Sequence, residues 1–330
     1  MGIKKKNKKI AMIDNFVKYF EYNGIPASPH HDFLVFGQHQ IPIRNGIPRF
    51  TPDVSYSTGN FSQLREKHAT LQLDSHNLTT DRYDTILKRT NWPKSFFKDK
   101  TILECGCGAG PDTEILLFLE ARVLAVDISS IDKARINLGQ NKNLCLVQAD
   151  ITDLPLKKKS FDVVFCHRVL QHTPSPEHTL RHILQFVKVG GAVFVHSYAK
   201  TFFQMCNWKY ALRLLTTRMN PEKLYNVIKY YAPTAFKITN VISKLPKGDS
   251  INHFLFPFRN HRRVDKFKKL SDAQIIEYGI HDTFDALSPR YDNPISAKAM
   301  CRIGEEILGI PFEVAKGRAI TLLRTILERY

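Results

Sequence analysis

Between residues 100 and 198 the chain alternates short apolar runs with segments whose apolar positions recur at helical spacing. The apolar runs occupy 101–105, 122–127, 144–149, 162–167 and 191–197, and the helical segments lie near 112–120, 130–140 and 175–188. Strands that are apolar along their whole length and alternate with helices are typical of a parallel sheet covered on both faces. The pattern therefore predicts an α/β fold for this part of the chain.

The flanking segments follow other patterns. Alternation over 33–50, with a turn signal at Asn45-Gly46, predicts a hairpin, and helical patches end at Trp92-Pro93. Downstream, a strand is predicted at Ile280–Asp285, a helix at Ala297–Leu308, and a closing strand pair at 311–315 and 318–325. The predicted division is a basic tail at 1–10, a small β-rich module at 11–60, a helical linker at 61–99, and a domain at 100–330 that contains a helical insertion at 200–280.

A glycine loop, Glu104-Cys-Gly-Cys-Gly-Ala-Gly110, joins the first predicted strand of this domain to the helix that follows. Glycines permit positive φ angles and a close approach of the backbone to a ligand. The carboxylate of Glu104 would repel a diphosphate, but it suits a ligand with an ammonium group. S-adenosylmethionine is such a ligand, and NAD is the rival because many dinucleotide-binding proteins carry a similar loop.

Two further acids stand at the ends of the second and third strands. Asp127 is placed to accept hydrogen bonds from both hydroxyls of a ribose, which fits either cofactor, and its alternative role is to cap a helix. Asp150 is placed to accept from an adenine amino group while Ile151 lies on the ring, and the alternative for Asp150 is a turn residue. A dehydrogenase has no need of the second acid, so the pair favours S-adenosylmethionine.

Three histidines are expected near the position from which a methyl group would be transferred. His167 ends the fourth strand, His196 ends the fifth, and His172 lies in the segment after the fourth strand. A base is needed only when the acceptor is an alcohol or a poor acid. His172 is the first candidate for that base, and its alternative is a structural role in holding the loop.

The residues Glu104–Gly110, Asp127, Asp150-Ile151 and Val169–Pro174 together resemble the class I S-adenosylmethionine-dependent methyltransferases, in the branch with the type 11 methyltransferase domain. The resemblance covers about 100–198 strongly. It implies a Rossmann-like seven-stranded sheet with an antiparallel last strand and the cofactor across the carboxyl edge. It also implies the cofactor contacts, with Glu104 on the methionine ammonium, Gly106, Cys107, Gly108 and Gly110 along the methionine tail, Asp127 and Ile128 at the ribose, Asp150 and Ile151 at the adenine, and His167 and Val169 beside the sulfonium.

The resemblance extends outward more weakly. The segment Ile41–Phe50 resembles a zinc-ribbon-like module found before such domains, Leu71–Ser75 resembles its linker, and Asp282–Asp292 resembles a C-terminal segment of bacterial relatives that modify polysaccharides or lipid-linked sugars. A zinc ribbon needs four Cys or His ligands in paired spacing. Residues 20–55 offer only His30, His31 and His39, so the expected module is degenerate and binds no metal.

Composition adds a charge argument. The 330 residues carry a formal net charge of +17, and residues 200–280 hold 15 Lys or Arg against 5 Asp or Glu together with thirteen aromatic residues. Such a balance favours anionic partners. The favoured interpretation of the insertion is a lid over the acceptor. The alternatives are docking on anionic lipid with Phe254, Phe256 and Phe258 as anchors, and contact with a nucleic-acid backbone through Arg262, Arg263, Lys266, Lys268 and Lys269.

Six cysteines without a CxxC pair predict reduced thiols and a cytoplasmic protein, with peripheral membrane contact as a further hypothesis. No apolar run is long enough for a transmembrane helix, and no signal peptide is predicted at the start. The sequence thus predicts a methyltransferase that transfers a methyl group to an oxygen or nitrogen acceptor on a small molecule, a sugar or a lipid-linked substrate. The alternatives are an RNA methyltransferase, an inactive protein that binds S-adenosylmethionine, and an NAD-dependent oxidoreductase.

Overall fold

A computed structural model describes residues 13–51, 64, 66–263, 270–309, 313–315 and 319–324. The predicted tail at 1–10, the end of the predicted β-rich module at 52–60, and Lys266, Lys268 and Lys269 lie outside these residues. The strands are β1 Glu21–Tyr22, β2 Ile25–Pro26, β3 Ser28–His30, β4 Phe33–Phe36, β5 His39–Arg44, β6 Ile47–Pro48, β7 Thr101–Cys105, β8 Arg122–Asp127, β9 Leu144–Gln148, β10 Phe161–His167, β11 Val187–Tyr198, β12 Glu313–Ala315 and β13 Ala319–Arg324. The helices are α1 Asp74–Asn77, α2 Asp81–Thr90, α3 Pro111–Phe118, α4 Ile131–Leu138, α5 Pro176–Leu184, α6 Phe202–Met205, α7 Trp208–Thr216, α8 Pro221–Ile242, α9 Gly248–Leu255, α10 Asp272–Leu287 and α11 Ala297–Leu308.

The central sheet has seven strands in the order β12-β13-β11-β10-β7-β8-β9. The five strands β7 to β11 are parallel, whereas β13 pairs antiparallel with β11 and with β12. The predicted Rossmann-like α/β fold, with seven strands and an antiparallel last strand, is confirmed. Every residue of β7 and of β9 is buried, as expected for strands covered on both faces.

Local sequence explains where the helices on this sheet begin. Gly110 adopts the left-handed conformation at the N-cap of α3, and Pro111 occupies the first helical position, where its fixed φ suits the helix. Ser175 caps α5 by accepting a hydrogen bond from the backbone N–H of His178. This helix ends at Leu184, earlier than the predicted 188, because β11 already begins at Val187.

The N-terminal segment forms small sheets that belong to the same structural unit as the central sheet. Strands β4 and β5 form the predicted hairpin, and Asn45-Gly46, both at positive φ, connects β5 to β6. Leu34 and Phe36 are fully buried in the apolar cluster that also contains residues of the central sheet. The backbone N–H of Phe50 donates to the carbonyl of Gln148, so this segment reaches the end of β9. The family resemblance of this segment to a zinc ribbon stays a prediction.

Residues 56–71 and 200–290 form a second unit, which is helical in its described part. The predicted insertion at 200–280 lies within this unit. Its apolar cluster is centred on Ile228, Phe236 and Phe284. The strand predicted at Ile280–Asp285 is wrong, because these residues lie in α10, which starts with a capping box at Ser271 and buries residues at helical spacing.

Candidate active site

The glycine loop between β7 and α3 has left-handed backbone at Gly106, Gly108 and Gly110, with φ angles of +81°, +57° and +93°. The N–H groups of Gly106 and Cys107 both donate to the carbonyl of Val126, which fixes the loop against the end of β8. A Cβ atom at Gly106 would lie 2.5 Å from a methyl carbon of Val169. The predicted loop residues and Val169 are therefore in direct contact, and only glycine fits at position 106.

Glu104 lies at this end of β7 with 2% of its surface exposed. Its carboxyl group accepts a hydrogen bond of 2.7 Å from the hydroxyl of Thr113. Burial, and then repulsion from Asp112, raise its pKa to about 8. A carboxyl group in this state gains most from a cationic partner, since the cation would offset the cost of its buried charge.

Asp127 is held by three backbone N–H groups at the end of β8. Its Oδ2 accepts from Gly108 at 2.9 Å, and its Oδ1 accepts from Ser129 and Ser130 at 2.9 and 2.7 Å. These contacts lie at the start of α4, so Asp127 makes the helix-capping contacts that the alternative interpretation predicted. The side chain of Ser130, the N-cap residue, makes no capping bond. A carboxylate offers about four acceptor positions, so Asp127 keeps capacity for a ribose hydroxyl.

Asp150 and Ile151 follow β9 on the same edge of the sheet. The Oδ1 of Asp150 accepts from the N–H of Thr152 at 2.9 Å, which is the turn contact that the alternative interpretation predicted. Ile151 is buried, and Ile128 and Asp150 are half-buried. Because β7, β8 and β9 are neighbours and parallel, Glu104, Asp127 and Asp150 lie along one carboxyl edge, where open α/β sheets bind ligands.

Arg49 of the N-terminal segment supports this edge and was not predicted. Its guanidinium donates to both carboxylate oxygens of Asp132 and to the Gln148 side chain at 2.9 Å. Gln148 in turn donates to the carbonyl of Ile128. The chain of contacts fixes the backbone beside Asp127. Nothing local in the sequence signals it, because Arg49 and Gln148 are brought together only by the fold.

His167 is fully engaged by two neighbours. Its Nδ1 lies 2.8 Å from a carboxylate oxygen of Asp112, and its Nε2 contacts the guanidinium of Arg89. Burial lowers the pKa of His167 to about 4, so the imidazole is neutral, donating to Asp112 and accepting from Arg89. With both ring nitrogens occupied, His167 is no longer a candidate for the base.

Asp112 links this histidine to a second arginine. Arg82 lies 3.4 Å from the other carboxylate oxygen of Asp112. Burial acts to raise the pKa of Asp112, but its attraction to His167 and Arg82 outweighs burial and holds the pKa well below the usual range. Asp112 is therefore a charged carboxylate that orients His167 and Arg82.

His196 and His172 differ in their surroundings. His196 is buried at the end of β11, with its ring centre 5.3 Å from that of His167. Burial first, and then the charge of Arg89, lower the pKa of His196 to about 2. His172 is half-buried in a short 3-10 turn, Leu170–His172, and its Nδ1 lies 3.2 Å from the carbonyl oxygen of Tyr291.

Sequence reasoning missed Asp112, Arg82 and Arg89. Asp112 follows Gly110-Pro111 and resembles an ordinary acid in the first turn of a helix. A signal for the arginines did exist, because Arg82 and Arg89 are seven residues apart in a helical pattern and so share a face.

Comparisons with known proteins identify the family of the chain. A family model described as "Methyltransferase domain" matches residues 103–195. The ubiquinone biosynthesis O-methyltransferase of Azoarcus sp. (strain BH72) is 30% identical to this chain, over 55% of this chain and 77% of that enzyme. The enzyme of the same name from Pseudomonas paraeruginosa (strain DSM 24068 / PA7) is 26% identical, over 53% of this chain and 78% of that enzyme.

Among solved structures, an S-adenosylmethionine-dependent methyltransferase from Mesorhizobium loti is 21% identical with a TM-score of 0.33, over 38% of this chain and 57% of that chain. This chain therefore spans less than two thirds of that protein. The chain belongs to the class I S-adenosylmethionine-dependent methyltransferases, and S-adenosylmethionine is its methyl donor. The buried carboxyl of Glu104 and the bare backbone at Gly106 fit the ammonium and the tail of this donor.

No group of three or more His, Cys, Asp or Glu side chains is arranged to hold a metal ion within the described ranges. None of the helices that the structure describes is both long and apolar enough to cross a bilayer.

Proposed function

We propose that this enzyme methylates a hydroxyl group on a small-molecule, sugar or lipid-linked acceptor. The names of the curated relatives, which are O-methyltransferases, support an oxygen acceptor. The observation that carries the proposal is the position of His172 after β10, with its Nδ1 on a backbone carbonyl. A hydroxyl acceptor, unlike a thiol or an amine, needs a base of this kind.

The donor site follows from the edge of β7, β8 and β9. Glu104 accepts from the ammonium group of the donor, Asp127 holds the ribose, and Asp150 with Ile151 holds the adenine. The loop from Gly106 to Gly110, including Cys107, lies along the methionine portion, and His167 and Val169 border its end. Arg82, oriented by Asp112 beside Glu104, pairs with the donor carboxylate. When bound, S-adenosylmethionine supplies a methyl group on a sulfonium, which is already activated for displacement.

His172 acts as the proton acceptor in this proposal. A carbonyl oxygen only accepts hydrogen bonds. The Nδ1 of His172 that faces the Tyr291 carbonyl therefore carries a hydrogen atom and donates a hydrogen bond to that oxygen. The lone pair of the neutral ring is then on Nε2, which is the form a base requires. The remaining rate enhancement comes from holding the acceptor in line and excluding water.

Transfer of a labelled methyl group to a panel of catechols, hydroxybenzoates, sugars, sugar phosphates and amines tests the proposal. His172→Ala should lower kcat about 100-fold on hydroxyl acceptors, within the usual range for a general base, and leave calorimetric binding of S-adenosylhomocysteine unchanged. His178→Ala, at an exposed histidine of α5, is the matched control. Unchanged turnover of His172→Ala would remove this histidine from the mechanism, and methylation of the amines alone would replace the oxygen acceptor.

A peripheral membrane role is a second candidate, supported by the surface of α8. One face of this helix is buried through Leu224, Ile228 and Phe236, yet the opposite face is also apolar. Its exposed side chains are Val227 at 51%, Tyr230 at 88%, Ile238 at 43%, Val241 at 63% and Leu245, just after the helix, at 55%. Lys223, Lys237 and Lys244 are exposed close to this stripe, as expected for a helix that lies on anionic lipid.

The residues that carry this candidate differ from the predicted ones. Phe258 is buried in the apolar cluster of the helical unit, and Phe254 and Phe256 are half-buried, so these phenylalanines are not membrane anchors. Arg262 and Arg263, predicted to contact nucleic acid, form ion pairs with Asp272 and Asp249. The stripe on α8 therefore favours lipid over nucleic acid.

Sedimentation with vesicles of phosphatidylcholine and about 30% phosphatidylserine tests this candidate. Wild-type protein should sediment at low salt, and the double variant Tyr230→Ser, Val241→Ser should bind about thirtyfold more weakly, since each of the two apolar side chains contributes on the order of 1 kcal/mol when buried. Val189→Ser, at an apolar residue of β11 that is 88% exposed, is the matched control. Protein that stays in the supernatant with these vesicles at low salt would contradict the membrane role.

A further inference from the structure

A group of arginines lies at one end of the carboxyl edge of the sheet. The three acids of the donor site lie at the other end. Arg82 and Arg89 lie on α2, and Arg168 follows β10 directly. The backbone N–H of Arg168 donates to the carbonyl of His196, which places Arg168 beside the end of β11. Arg89 reaches the same place through its contact with His167 at the end of β10.

Positive charge exceeds negative charge in this group. Arg82 has a carboxylate partner in Asp112, and its guanidinium also donates to Gln72. Arg89 instead contacts the neutral imidazole of His167. Burial, and then repulsion from Arg168, lower the pKa of Arg89 to about 10, while attraction to Asp112 acts in the opposite direction. Three guanidinium groups thus interact around one charged carboxylate.

A half-buried guanidinium beside a second arginine is costly in the free protein. The cost comes from lost hydration and from repulsion between like charges. Arg168 adds backbone strain, because it adopts a left-handed conformation with φ of +60° although it is not glycine. A purely structural role for Arg89, orienting His167, would need neither Arg168 nor the surplus charge. An anion bound between Arg89 and Arg168 would offset the lost hydration of Arg89 and the repulsion between the two guanidinium groups.

The anion belongs to the acceptor and not to the donor. The donor occupies the edge of β7, β8 and β9, and its carboxylate is assigned to Arg82, which lies next to Asp112 and Glu104. Arg89 and Arg168 lie instead at the ends of β10 and β11, beyond the sulfonium end. Guanidinium groups bind carboxylate and phosphate oxygens through paired hydrogen bonds, whereas a neutral hydroxyl needs no such group.

We propose that Arg89 and Arg168 bind an anionic group, a carboxylate or a phosphate, of the acceptor molecule. This inference rests on the proposed function, because it assigns the acceptor end of the same site. It narrows the acceptor to a hydroxylated molecule that also carries an acid group, and it makes the two arginines determinants of acceptor specificity. Neutral catechols and neutral sugars should then be poor acceptors.

Calorimetric titration of the full chain, saturated with S-adenosylhomocysteine, tests the inference. The probes are inorganic phosphate and benzoate, each titrated at constant ionic strength held with chloride. At least one probe should bind saturably to the wild type. Arg89→Gln and Arg168→Gln should each weaken that binding about tenfold, as expected for loss of one charge-assisted contact. Arg302→Gln, at an exposed arginine of α11, is the matched control and should leave it unchanged.

The outcomes separate this inference from the proposed function. Wild-type protein that binds S-adenosylhomocysteine but neither probe overturns the anion site and leaves the donor site intact. A tenfold loss of S-adenosylhomocysteine affinity in Arg168→Gln also overturns it, because that arginine would then serve the donor. Arg168 is exposed, so its variant should fold, and Arg89→Lys, which retains the charge, should keep more probe affinity than Arg89→Gln. Failure of the wild type to bind S-adenosylhomocysteine would instead contradict the function itself.

Discussion

The two ends of the carboxyl edge of the sheet carry opposite charge. Glu104, Asp127 and Asp150 lie at the carboxyl ends of β7, β8 and β9, whereas Arg89, Arg168 and His196 cluster at the ends of β10 and β11. At the acidic end, burial raises the pKa of Glu104 to about 8, and at the basic end burial lowers that of Arg89 to about 10. Each end therefore disfavours its own charge until a ligand of opposite sign arrives. This difference in charge suits the acidic end to the donor, which carries an ammonium group, and the basic end to an acceptor that carries an acid group.

Replacing the acid at the donor end should have the largest effect. Glu104→Gln should weaken binding of S-adenosylhomocysteine by about 4 kcal/mol, roughly a thousandfold, because the ammonium loses its buried partner. The wild type should release nearly one proton on binding at pH 6.5, since a carboxyl with a free pKa of about 8 must ionise to pair with the ammonium. Calorimetry in buffers of different ionisation enthalpy measures both quantities, and Glu104→Gln should release no proton from this site.

The same substitution should change how stability depends on pH. The pKa of Glu104 is about 8 in the folded protein against an ordinary 4.5, so the folded state binds the proton more tightly. The free energy of unfolding without ligand should then fall as pH rises between these values, and Glu104→Gln should remove that slope. Glu120→Gln, at an exposed acid after α3, is the control. Unaltered ligand affinity in Glu104→Gln would show that the ammonium binds elsewhere.

The two ends also differ in how far the sequence predicts them. Glu104, Gly106, Asp127 and Asp150 each lie at the carboxyl end of a strand that is visible as an apolar run, so strand order alone brings them to one edge. The basic end needs contacts that no short pattern reports. Arg89 reaches His167 from a helix before the sheet, and Asp112 gains its role only because His167 and Arg82 converge on it.

The helical unit shows the same limit. The apolar residues of Ile280–Asp285 suit a strand as well as a buried helix, and periodicity alone does not separate the two in so short a run. Phe258 is one of the phenylalanines considered as membrane anchors in the alternative interpretation, but the fold buries it in the cluster that also contains Phe236 and Phe284. Tertiary contact thus determines what local pattern leaves open.

The second-largest effect is expected from a substitution where the donor loop contacts the residue that follows β10. Gly106 of the donor loop has a φ of +81° and faces Val169, which follows β10, and a Cβ atom added at residue 106 would lie 2.5 Å from a methyl carbon of that valine. Gly106→Ala should lower the free energy of unfolding by about 3 kcal/mol through strain and overpacking, and it should weaken donor binding. Denaturant unfolding with and without S-adenosylhomocysteine measures both effects.

Gly139→Ala provides a matched control for that substitution. Gly139 also has a positive φ, +64°, but nothing lies within 4 Å of the position its Cβ would take. The variant should therefore lose only the cost of its backbone conformation, about 2 kcal/mol, because a φ of +64° with a ψ of −152° is a combination that glycine adopts far more readily than other residues. Equal losses in the two variants would show that contact with Val169 adds nothing, and that the donor loop and the β10 end are not packed together.

The smallest expected effect concerns the histidines at the basic end. The pKa of His196 is about 2 and that of His167 about 4 in the folded protein, against an ordinary 6.5, so the unfolded chain binds more protons below that value. The free energy of unfolding should therefore decrease as pH falls from 6.5 toward 4, with each histidine changing the unfolding equilibrium by up to about tenfold per pH unit.

His196→Gln should remove one of these two contributions and so make the acid side of the stability profile less steep. Urea unfolding followed by circular dichroism at several pH values between 4 and 7 measures the slope. His178→Gln, at an exposed histidine of α5, should leave the slope unchanged.

A ligand anion provides a second test of the same charges. An acid group bound between Arg89 and Arg168 would offset the positive charge that opposes protonation of His196, so saturating benzoate or phosphate should also reduce the slope in the wild type. If neither His196→Gln nor the anion changes the slope of the free energy of unfolding against pH, the basic end is already neutralised in the free protein. The contrast in charge between the two ends would then not hold.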